Sequence, residues 1–86
     1  KKTLDASIAQ LTSSNVPCRF GVQVKADDDN TGTIYIGRST VTAGTTDATD
    51  GFKLKAGQGK RFLVRNANSL YGVASGSGQI VYWRAM

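Results

Sequence analysis

Histidine and glutamate are absent from this 86-residue chain, and cysteine, proline, tryptophan and methionine occur once each. Each scarcity excludes something. General acid–base catalysis near neutral pH calls for a histidine or a carboxylate of raised pKa, and aspartate is the only acidic side chain here. Cys18 alone forbids an internal disulfide, and with no histidine or glutamate beside it a metal centre is not expected. No apolar run approaches the ~20 residues of a membrane helix. Asp5 and Gln10 interrupt anything like the apolar core of a signal peptide. The chain reads as a non-enzyme without cofactor, metal or membrane partner.

A single domain of this size buries only about 60–65% of its unfolded surface, so its core is thin. Without disulfide or metal, oligomerisation or docking on a larger body is the remaining source of stability. Cys18, on an apolar strand face, reads as a small buried hydrophobe, which suits assembly in a reducing compartment.

The residues present alternate. Cys18, Phe20, Val22, Val24 and Ala26 fall on one face and Arg19, Gly21, Gln23 and Lys25 on the other, the period of a half-buried strand. After an Asp/Asn/Gly-rich loop at 27–32, residues 33–37 alternate again, which predicts a hairpin. Further strands are expected at 39–43, 52–54, 60–65, 70–74 and 79–84, with loops or turns at 44–51, 56–59, 66–69 and 75–78. Gly72 marks a bulge or a close approach within its strand. In the closing strand Ile80 and Tyr82 oppose Val81 and Trp83, so both faces need cover. The fold class is all-β: a small antiparallel sandwich or barrel of six to seven short strands over residues 17–86.

Residues 1–16 differ. Leu4, Ile8 and Leu11 stand at helical spacing, but the polar run 12–15 ends the pattern, and Pro17 turns the chain toward the first strand. This predicts an N-terminal arm or short helix that docks on a partner.

Three constellations invite a chemical reading. Asp27, Asp28, Asp29 and Asn30 offer oxygen ligands but lack the ligand spacing of a calcium loop, and a solvated turn fits better. Residues 51–86 carry six basic side chains, including Lys53, Lys55, Lys60, Arg61 and Arg65, and no acid. Such a half is either a set of solvated strand faces or a surface that meets something acidic. Finally, Tyr35, Phe62, Tyr71, Tyr82 and Trp83 are read together with Arg61, Arg65 and Arg84, as in barrels that stack single-stranded bases, although small all-β domains need such aromatics for packing anyway.

Four stretches carry a resemblance: QLTSSNVPCR, ADDDNTGTIYIGRSTVTA, the turn LKAGQ, and LYGVASGSG before the final strand. With these the chain from Gln10 to Tyr82 resembles a family of small bacteriophage virion proteins. The resemblance implies a compact β-sandwich without catalytic residues. It further implies a structural role: decorating (cementing) the outer capsid surface and reinforcing contacts between capsid subunits, or serving in a head fibre or tail appendage. The partner expected is the major capsid protein or another virion protein, the location the virion after assembly in the host cytoplasm, and the working form a dimer or trimer. Contact residues expected from the sequence are Leu4, Ile8, Leu11, Lys53, Lys55, Lys60, Arg61, Arg65 and Trp83. Readings from other classes are a nucleic-acid-binding β-barrel and a carbohydrate-binding sandwich with Tyr82 or Trp83 as sugar platform; specific nucleic-acid binding is not expected.

Overall fold

Short alternating segments become short strands. In chain order they are β1 (Lys2–Leu4), β2 (Ala9–Gln10), β3 (Val22–Ala26), β4 (Ile34–Gly37), β5 (Phe52–Leu54), β6 (Gly59–Phe62), β7 (Tyr71–Ala74) and β8 (Gln79–Ala85), with one 3-10 turn at Ala67–Ser69. The computed structural model describes residues 1–39, 41 and 51–86. The strand expected at 39–43 and the loop at 44–51 fall largely outside the described residues.

The strands form two antiparallel four-stranded sheets, ordered β1-β8-β3-β6 and β2-β7-β4-β5. Leu4, Val22, Val24 and Val81 from the first sheet meet Ile34, Ile36, Leu54 and Ala74 from the second in one buried cluster. The fold is an all-β sandwich; among the described residues the two sheets stay separate and do not close into a barrel. Side chains of β5 and β6, the edge strands of the two sheets, meet across the sandwich. The Phe52 and Phe62 rings meet edge to face with centroids 6.0 Å apart, and the Lys60 ammonium sits 4.5 Å from the Phe52 ring centroid, a favourable cation–π placement.

Three expectations are corrected. Residues 1–16 are neither helix nor free arm. β1 pairs with β8 and β2 with β7, so this segment adds a strand to each sheet. Leu4 and Leu11 are 1% and 4% exposed in the core, whereas Ile8 between them is 45% exposed. Helical spacing coincides here with Leu4 in β1 and Leu11 just past β2, both turned into the same core.

The loop after β3 does not turn a hairpin. It crosses between sheets, because β3 pairs with β6 and β8 while β4 pairs with β5 and β7. Long-range hydrogen bonds hold the crossing. The Asn30 amide donates to the Ile80 carbonyl and accepts from the Ile80 N–H, both at 2.8 Å, standing in for a strand neighbour of β8. The buried Gln79 side chain accepts from the Gly32 N–H at 2.8 Å and donates to Ser77 O at 2.9 Å. Gly72, by contrast, is the close approach its place in a strand suggested. A Cβ there would lie 2.8 Å from Leu4 Cδ1 and 3.1 Å from Ile36 Cδ1.

The faces of β8 are also assigned. Val81 is fully buried and Trp83 packs against the core beside Val24. The outward pair is Ile80 and Tyr82. Trp83 is thus a core-side residue, not the uncovered anchor its alternation with Tyr82 allowed.

Candidate functional site: an arginine-rich pole

Strand direction sorts the charges. β3 runs from Val22 toward Ala26, and β6 and β8 run antiparallel to it. Residues 18–21, 62–65 and 85–86 therefore gather at one pole, and the loop with Asp27, Asp28 and Asp29 lies at the other. Arg38 follows β4, whose Gly37 lies opposite Tyr71, and it joins the first pole.

Main-chain hydrogen bonds fix this pole. Arg19 N–H and Phe20 N–H both donate to the Met86 main-chain oxygen, at 2.8 and 2.9 Å, and Met86 N–H donates to Gly21 O at 2.9 Å. Cys18 N–H donates to Arg65 O at 2.8 Å, and the Cys18 thiol to Val64 O at 3.0 Å. Gly21 makes the packing possible. Its φ of +98° is left-handed territory, and the Phe62 carbonyl oxygen occupies the place of a Cβ. The reversal interrupts the alternation of β3, so Phe20, expected inside, is 61% exposed.

Segment 62–65 is a ridge between two grooves. One, of about 300 Å³, is lined by Arg19, Phe20, Arg61, Leu63 and Arg65. The other, of about 690 Å³, opens between the ends of the two sheets and is lined by Arg38, Phe62, Leu63, Arg65, Leu70 and Tyr71 among others. Leu63 crowns the ridge at 82% exposure. Four of the five arginines of the chain collect here, while the exposed lysines Lys25, Lys53, Lys55 and Lys60 lie on other surfaces. No family model, curated protein or solved structure matches the chain.

The residues expected as contacts divide. Arg61 and Arg65 belong to the pole. Lys53 is exposed on β5 opposite Tyr35, Lys55 lies in the following turn, and Lys60 covers the Phe52 ring. Leu4, Leu11 and Trp83 serve the core, and Ile8, in the link just before β2, remains exposed. Sequence reasoning missed Arg19, Arg38, Phe20 and Leu63. The glycine before β3 was the one available sign that Phe20 leaves the inner face.

A second cationic surface lies on the outer face of the first sheet. Arg61, Gln23 and Arg84 stand directly opposite one another across β6, β3 and β8, and Lys25 stands opposite Tyr82 in the next outward row. Arg84 donates to Gln23 Oε1 at 2.9 Å. Tyr82 lines a shallow depression with Gln23, Lys25 and Arg84. Lys25 also approaches Asp28 at 3.8 Å, but both side chains are largely exposed and the pair adds little to stability. Among the described residues no cluster of three or more histidine, cysteine or acidic side chains is arranged to hold a metal. The structure gives the aspartate loop a mechanical duty, through the Asn30 bonds to β8.

Proposed function

We propose that this protein is a structural virion domain that docks through its arginine-rich pole on an acidic outer surface of a capsid and reinforces contacts between shell subunits. One observation carries the docking role: Arg19, Arg38, Arg61 and Arg65 surround exposed Phe20 and Leu63 at an end tied by main-chain hydrogen bonds. Arginine and aromatic residues are enriched in protein interfaces, where a planar guanidinium forks onto carboxylates at lower desolvation cost than an ammonium. The phage setting comes from the resemblance of residues 10–82, and the partner is the major capsid protein or another virion protein. A head fibre or tail appendage would use the same pole on a different virion component. A dimer or trimer belongs to this reading too, with Ile80 and Tyr82, not Val81 and Trp83, as the outward apolar pair.

The test is mass spectrometry and electron microscopy of purified particles of the parent phage. Many copies on the shell, released when Arg61 and Arg65 are replaced by alanine, are expected; absence from the particle refutes the assignment. The outer row of Lys25, Tyr82 and Arg84 supports a second reading, a single-stranded nucleic-acid contact. Base-preferring binding that persists at physiological salt and is lost in Tyr82→Ala would favour that reading, since nonspecific phosphate contact falls steeply with salt.

A further inference from the structure

We infer that the groove between the sheet ends receives an extended acidic segment of the partner protein, one apolar side chain entering between the sheets and carboxylates on either side engaging Arg38 and Arg65. This rests on the docking role proposed above for the pole. The groove measures about 690 Å³, within the range of about 300–1,000 Å³ typical of ligand sites. Its apolar surface comes from Phe62, Val64, Leu70 and Tyr71, of which Leu70 is buried and the others half-buried. Arg65 stands on the wall built by the first sheet and Arg38 on the wall that continues β4. Both are exposed, and no acidic side chain lines the groove among the described residues.

This arrangement selects its occupant. A mineral anion or bare phosphate chain gains nothing from the apolar lining. An apolar peptide gains nothing from two guanidinium groups. A second copy presenting the same pole would set arginine against arginine. A chain with a large apolar side chain between carboxylates satisfies both features, each guanidinium forming charge-assisted hydrogen bonds to a carboxylate.

The experiment uses the full 86-residue chain and a capped pentapeptide with one phenylalanine between two pairs of aspartates. Controls are the peptide with asparagines for aspartates and the peptide with glycine for phenylalanine. Binding is followed by titration of amide NMR shifts. Saturable binding with shifts centred on Leu70 and Tyr71 is expected, and each of Arg38→Ala and Arg65→Ala should weaken it about tenfold. Arg84→Ala, the same change of charge on the outer sheet face, should leave it unchanged. Equal losses in Arg84→Ala and Arg65→Ala, or equal binding of the glycine peptide, would reduce the effect to net charge and overturn the inference. Self-association that rises with protein concentration and vanishes in Arg65→Ala, without peptide binding, would overturn it in favour of a second copy. Peptide binding by a protein absent from virions would sink the virion assignment alone. Shell binding untouched by Arg38→Ala and Arg65→Ala would sink the groove alone.

Discussion

Leu4→Ala tests whether the first residues of the chain belong to the core. Leu4 is 1% exposed, and its methyl groups reach across the sandwich to the backbone of β7, where Gly72 has no side chain that might swing in to fill a void. Truncating a buried leucine costs about 2–5 kcal/mol, more where the surroundings cannot collapse, so the upper half of that range is expected. A domain of 86 residues has about 4–13 kcal/mol in all. The variant should therefore lose a large fraction of its stability and melt at least about 10 °C lower, at ~4–8 °C per kcal/mol for a domain of this size. Ile8→Ala is the internal control: Ile8 is 45% exposed, and its loss should cost about 1 kcal/mol or less. Thermal unfolding followed by far-ultraviolet circular dichroism reads both. If Leu4→Ala melts within about 3 °C of the wild type, the segment is a dispensable arm; if Ile8→Ala falls as far as Leu4→Ala, burial does not rank the two sites and the packing argument is wrong.

Gly21→Ala places a methyl group on the Phe62 carbonyl at a left-handed φ and should lower the urea midpoint well beyond Gly78→Ala, where φ is +73° with nothing within 4 Å and only the backbone cost of about 1–2 kcal/mol applies. Asn30→Ala removes both side-chain bonds to Ile80, for a loss of about 1–3 kcal/mol and faster hydrogen exchange at the Ile80 amide. Gln79→Glu sets a carboxylate in a buried site that faces the Ser77 carbonyl; burial raises the folded-state pKa of the new group, so stability is fullest in acid and falls as pH rises through that pKa, measurable as a melting temperature that drops from pH 4 to pH 7. Leu63→Ser, at an 82% exposed site, should leave stability within about 0.5 kcal/mol while weakening shell attachment in a pull-down from capsids.

Local pattern made much of the sandwich legible. Gln23 and Lys25 point to water and Val22, Val24 and Ala26 to the core, as period two requires. The strands expected at 52–54 and 70–74 lie where the sequence put them, although their burial does not alternate: Phe52 is exposed beside buried Leu54, and Gly72, Val73 and Ala74 are all buried. Pairing was less legible, because the bonds that route the chain join residues far apart in sequence. Asn30 to Ile80 and Gln79 to Gly32 turn what looks like a hairpin loop into a crossing. Leu4 in β1 and Leu11 just past β2 mimic a helix because the short link between the two strands happens to place them about two turns apart in number. The pole was half legible. The basic bias of residues 51–86 included Arg61 and Arg65, but Arg19 and Arg38 carry no local signal and arrive only through strand direction.

The pairing of β1 with β8 sets a condition on how the molecule is made. Lys2 lies opposite Val81 and Leu4 opposite Gln79, so the earliest strand is completed by the latest. Contacts of such large sequence separation form slowly, since loop closure must be bought before they reward it. During synthesis the first sheet lacks its second member until residue 85 has left the ribosome, and Leu4 has no settled place until then. A nascent chain halted before β8 would expose the inner edges of both β1 and β3, the surfaces most prone to pair with a neighbouring copy. Slow translation through the codons of β8 should therefore raise the aggregated fraction.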